Sequence, residues 1–134
     1  SDVYKRQLFA VPAVFTPGCT KNHLPSYINH CEKIQQKGFD TIACLSVSDA
    51  YVMQAWAETT GAAGRILMLA DGNAEFVRKV GLENDLSEYG MGMRCQRFSM
   101  IVEHGTVKRI EVDLRAIEST DAVTTCGLER KHQE

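Results

Sequence analysis

The chain has 134 residues, of which 44% are hydrophobic and 24% charged, enough for one domain around one core and ordinary for a globular protein. A net charge of −2 argues against nucleic acid or an anionic membrane as the main partner. No apolar run approaches the roughly 20 residues that span a bilayer.

The first seven residues, Ser1 to Gln7, are polar, lack an initiating Met and show no secretory leader. They lead straight into Leu8–Val11, an apolar run that reads as a buried strand ended by Pro12. The reading is therefore of a single-domain fragment, with residues 1–7 open to being non-native. Thr16-Pro17-Gly18-Cys19 looks like a helix start. Thr16 suits the N-cap and Pro17 the first helical position. Leu24, Tyr27, Ile28, Cys31 and Ile34 recur at helical spacing, and Gly38 is the expected stop. Pro25 should kink or interrupt this helix.

Thr41–Val47 is almost continuously apolar and β-prone, as a parallel strand buried on both faces would be. Ser48 and Asp49 cap a second helix that turns Val52, Met53, Trp56 and Ala57 inward. A loop from Gly61 to Gly64 precedes a third strand, Arg65–Ala70, closed by Asp71-Gly72-Asn73. A short helix is expected over Ala74–Val80, and residues 81–92, with three glycines, read as loop. Arg97–Val102 and Thr106–Val112 flank His104-Gly105 and predict a β-hairpin. Residues 115–134 are polar. The sum is an α/β fold with helices packed on a mixed sheet: a parallel pair from the early crossovers, antiparallel strands from the hairpin.

Five cysteines, Cys19, Cys31, Cys44, Cys95 and Cys126, make an odd count with no leader, which argues against a secreted disulfide framework. No C-x-x-C pair exists, and histidines 23, 30, 104 and 132 complete no metal-ligand spacing. No metal and no cofactor are expected.

Cys19 is the residue that carries chemistry. It falls in the first turn of a helix, at the C-terminal end of a central strand, where open α/β sheets bind ligands. Free amides and the positive end of the helix dipole there favour thiolate over thiol. The competing reading is a small apolar residue filling space. Arg97, or its rival Arg94, would supply a guanidinium; the plainer reading is a solvated surface arginine. His23 lies one turn after Cys19, and either helps to position a thiolate and shape the entrance or sits on the helix surface.

Pro12-x-x-x-Thr16-x-x-Cys19 matches the P-x-x-x-(T/S)-x-x-C signature of peroxiredoxins. The run Phe15–Pro25 resembles the type-five, atypical two-cysteine subgroup, and so do Ala43–Ala50, Leu69-Ala70-Asp71 and Arg97–Met100. The resemblance spans about residues 8–113 and implies a thioredoxin-like mixed sheet flanked by helices, without the family's N-terminal β-hairpin. It implies a thiol peroxidase acting on hydrogen peroxide and organic hydroperoxides. Cys19 resembles the peroxidatic cysteine, Thr16 the hydroxyl that contacts thiolate and peroxide, Pro12 the shield against water, and Arg97 the guanidinium that stabilises thiolate and leaving oxygen. Gly18 and His23 fall beside the peroxide pocket. Cys126, in the loosely similar Thr125–Leu128, is the candidate resolving cysteine; otherwise an external thiol reduces Cys19. Cys31 and Cys44 read as packing residues, and Cys95 as loop filler or mildly reactive. Thioredoxin, glutaredoxin or glutathione is the implied reductant, the assembly a homodimer, and the location intracellular: cytoplasm, mitochondrion or peroxisome. The alternative is a non-catalytic redox sensor or interaction module on the same scaffold.

Overall fold

The computed structural model describes residues 5–113. A five-stranded sheet runs in the order β3-β2-β1-β6-β7. Its centre is β1 (Lys5–Ala10), parallel to β2 (Thr41–Ser46) and antiparallel to β6 (Arg97–Glu103). The strand starts earlier than its apolar run: Lys5, Arg6 and Gln7 pair with Glu103, Val102 and Ile101. Gln7 is fully buried; its amide nitrogen donates to Ser99 Oγ, while its Oε1 has no partner among the described residues. Residues 5–7 are thus built into the central strand.

Side chains alternate across that strand. Phe9 and Val11 face a core formed with α1 (Leu24–Gln36) and α2 (Ala50–Thr60), through Leu24, Tyr27, Ile34 and Trp56. Leu8 and Ala10 face a second cluster with Leu45, Val77, Phe98 and Met100. The edge strands β3 (Leu67–Ala70) and β7 (Thr106–Asp113) leave Leu67, Leu69, Val107 and Ile110 exposed. The β6–β7 hairpin forms as expected, with His104 and Gly105 both at positive φ in its turn (52° and 78°), the conformation that matches strand twist.

Asp49 caps α2 as anticipated, accepting from Val52 N at 2.9 Å. Asp71 does the same work for α3 (Glu75–Lys79): its carboxylate accepts from Phe76 N at 3.1 Å and Val77 N at 3.0 Å. Ala74, at the start of α3, has φ 58° and offers no side-chain cap of its own, so Asp71 supplies the acceptor.

Two expectations need correction. Residues 81–92 are not simply loop: β4 (Glu83–Asp85) pairs antiparallel with β5 (Met93–Cys95), around a 3-10 turn at Ser87–Tyr89. These strands are three residues long, too short for alternation to register. And Thr16 is not a side-chain N-cap. Its hydroxyl donates to the Ala13 carbonyl at 2.5 Å, closing the turn in which Phe15 takes φ 64°. The helix instead begins at Pro17 with a π-helical turn, Gly18–His23, and narrows to α1 at Leu24. Pro25 interrupts the chain of amide donors at that change of pitch, as its lack of an N–H requires.

Candidate active site

The C-terminal ends of β1 and β2 and the first residue of β6 converge on one point. Val11 N donates to Leu45 O at 3.0 Å, prolonging the parallel pairing, and Ser46 Oγ donates to Val11 O at 2.8 Å. The chain then turns through buried Pro12 and Ala13 and half-exposed Phe15 into the π-helical turn. That turn places Cys19 over the sheet end, and Arg97 reaches it from β6.

Cys19 has none of its surface exposed. Its sulfur accepts a hydrogen bond from Arg97 Nη2 at 3.2 Å. Arg97 is itself fully buried, where a guanidinium is tolerated only with partners for its donors. Its other terminal nitrogen, Nη1, meets His23 Nδ1 at 2.5 Å. Cys19, Arg97 and His23 therefore form one buried polar contact. Arg94, the rival, is turned elsewhere: its Nε donates to Met91 O at 2.8 Å and Nη1 to Val47 O at 3.5 Å.

His23 is not on the helix surface; it is fully buried. Its ring meets Phe9 edge-on at 5.1 Å and Tyr27 at 5.6 Å, while Phe9 and Tyr27 stack at 3.8 Å. Burial, and then the charge of Arg97, hold its pKa well below the usual 6.5. The neutral imidazole is the form that can accept from a guanidinium.

Pro12 and Gly18, the latter adjacent to Cys19 in sequence, are buried, and Thr16 is half-buried. With its proton given to Ala13, the Thr16 oxygen keeps lone pairs to offer. Thr20, next to Cys19, accepts from the indole N–H of buried Trp56 at 3.1 Å. That link from α2 leaves no mark in residue order, because a tryptophan on an apolar helix face reads as core.

The other described cysteines are free thiols. Cys44 lies fully buried in the same apolar cluster as Cys19, and burial, then the charge of Cys19, push its thiol well up. Cys95 is in β5 rather than a loop; burial pushes it up to about 12, and its Sγ donates to Val11 O at 3.3 Å. Among these sulfurs Cys19 is the one that a guanidinium touches. Cys126 lies outside the described residues. No group of His, Cys, Asp and Glu among the described residues could hold a metal ion.

The chain matches the family described as Redoxin over residues 4–124. It is 40% identical over 111 residues to "Peroxiredoxin-2E, chloroplastic" of Arabidopsis thaliana, covering 81% of this chain and 47% of that protein. To "Peroxiredoxin-2E-2, chloroplastic" of Oryza sativa subsp. japonica it is 42% identical over 128 residues, covering 93% and 55%. The chain thus spans about half the length of these relatives. Among solved structures it is similar to reduced Prx3 of Vibrio vulnificus in complex with H2O2: 41% identity, TM-score 0.86, covering 98% of this chain and 81% of that one.

Proposed function

The chain belongs to the peroxiredoxins of the redoxin family, and we propose from this premise that it is a thiol-dependent peroxidase whose reacting atom is Cys19 Sγ. The substrates are hydrogen peroxide and organic hydroperoxides. The observation that carries the reading is the 3.2 Å contact between Arg97 Nη2 and Cys19 Sγ inside a buried site. A buried guanidinium trained on a sulfur is the counter-charge that a thiolate needs there.

The thiolate attacks one peroxide oxygen. The S–O bond forms as the O–O bond breaks, and the departing hydroxide or alkoxide takes a proton and leaves as water or alcohol. Cys19 is left as a sulfenic acid. Arg97 stabilises both the attacking charge and the charge that develops on the leaving oxygen. The Thr16 oxygen, its own proton bound to Ala13 O, accepts from the peroxide O–H and orients it. Pro12 and Gly18, both buried, keep bulk water from the sulfur. A thiol then condenses with the sulfenic acid, releasing water and forming a disulfide, and a second thiol restores Cys19.

Cys126 is the proposed internal source of the first thiol; an external one serves if it does not reach. Thioredoxin, glutaredoxin or glutathione closes the cycle, which places the protein where such thiols stay reduced, inside a cell or organelle. The half-exposed Phe15 and the exposed Tyr51 are apolar surface on the active-site turn and at the start of α2, suited to the homodimer contact proposed here. A sensor or binding module alone has no use for the combined Cys19, Arg97 and His23 contact.

Peroxide consumption with dithiothreitol as reductant tests the reading. The chain should turn over, and Cys19→Ser should abolish turnover. Unchanged turnover in Cys19→Ser would overturn the proposal.

A further inference from the structure

Two contacts of Arg97 meet at the site. Nη2 donates to Cys19 Sγ at 3.2 Å, and Nη1 faces His23 Nδ1 at 2.5 Å. A guanidinium carries donors only, so Nδ1 is the acceptor and the imidazole proton is on Nε2. That Nε2 is buried with no hydrogen-bond partner among the described residues. A buried N–H left unpaired costs stability, so the ring is not placed to satisfy its own donor. What it does satisfy is Arg97.

The ring has little freedom to do otherwise. Phe9 and Tyr27 wall it on two sides. Tyr27 is in turn fixed at its far end, where its hydroxyl meets Ser99 Oγ at 3.0 Å, and Ser99 is two residues along β6 from Arg97 itself. Sheet, α1 and π-helical turn thus jointly aim Nδ1 at one nitrogen of the guanidinium.

We propose that His23 is a positioning residue for the peroxide step: its neutral Nδ1 anchors one prong of the Arg97 fork so that the other faces Cys19 Sγ and the oxygen that leaves. This rests on the peroxidase reading and adds a residue that acts through Arg97. A long side chain such as arginine gives up much rotational freedom when it is fixed, and the planar fork turns as a unit. Losing the Nη1 contact therefore loosens the aim of Nη2 at the sulfur. The depressed pKa of His23 is consistent with this, because a protonated ring would present a second donor to a donor.

Two near-isosteric substitutions separate positioning from packing. In His23→Asn, Oδ1 falls where Nδ1 was and an acceptor is kept. In His23→Leu the volume is kept and the acceptor is lost. The rate of sulfenic acid formation at Cys19 with hydrogen peroxide should fall about ten- to hundredfold in His23→Leu and stay near wild type in His23→Asn. The rate at which thiol reduces the oxidised protein should be alike in all three. If His23→Leu fails to fold, His23→Gln replaces it, since its acceptor reaches the Nε2 end of the ring and not the Nδ1 end; it should be slow. A His23→Leu variant as fast as wild type, or a His23→Asn variant as slow as His23→Leu, overturns the role of His23. A wild-type chain that forms no sulfenic acid overturns instead the peroxidase reading beneath it.

Discussion

Trp56 Nε1 donates to Thr20 Oγ1 at 3.1 Å, and so ties α2 to the residue beside a sulfur that has no exposed surface. A sulfur so enclosed is reached by a small peroxide more readily than by a protein thiol. A bulky thiol should meet it only if the surrounding backbone, the Gly18–His23 turn included, moves aside. The π-helical pitch of that turn marks it out, because single π-helical turns are rare and frequent at functional sites.

Trp56→Phe should therefore loosen the turn while keeping most of the core volume. One neutral hydrogen bond contributes about 0.5–1.5 kcal/mol, which predicts about two- to tenfold faster alkylation of Cys19 by a bulky maleimide. The sulfenic acid should be reduced by external thiol faster by the same factor. Alkylation at the wild-type rate would show that the indole contact does not hold the turn shut.

Arg97→Met keeps an unbranched apolar stem and removes the charge. Loss of one preorganised donor at a developing anion typically costs about 10²–10³ in rate, and the second-order rate constant with hydrogen peroxide should fall by that much. Arg94→Met should leave it unchanged, since Arg94 donates to the Met91 and Val47 carbonyls instead. Stopped-flow measurement of both variants decides between the two arginines.

Stability should respond to pH on both flanks. His23 takes up its proton only well below 6.5 when folded, whereas an unfolded chain binds it near 6.5. In that window the unfolded state holds more protons, so stability is whole above about 6.5 and erodes by up to about 1.4 kcal/mol per pH unit as pH falls. Cys95 behaves oppositely. Folded, it keeps its proton to about 12 against a usual 9.0, so its contribution is whole below 9.0 and is lost as pH rises towards 12. Thermal unfolding across pH should show a flatter acid limb for His23→Asn and a flatter alkaline limb for Cys95→Ala. Parallel curves for variant and wild type would contradict these assignments.

Much of the fold could be read from residue order. The apolar run at Thr41–Val47 and the His104-Gly105 turn led to β2 and the β6–β7 hairpin, because burial on two faces and positive φ both leave a mark on composition. Asp49 did the same for the start of α2. The π-helical turn left no such mark, since pitch is set by how the backbone accommodates Pro25 and the sheet end and not by any side-chain pattern. Gln7 hid the start of β1 because its partner, Ser99, is ninety-two residues away. At the site, Cys19 and Arg97 were reached through the motif they share with a family. The burial of His23 and its hold on Arg97 were not, because spacing along one helix fixes which residues share a face and not what that face meets across the core.

Oxidation by peroxide should begin at a single sulfur. Peptide mass spectrometry of the chain after one equivalent of hydrogen peroxide, with a sulfenic-acid trap present, measures this directly. The label should sit on Cys19, with Cys31, Cys44 and Cys95 unmodified. Label shared among the cysteines, or found on Cys44 or Cys95 while Cys19 stays a thiol, would show that Cys19 is not the reacting sulfur.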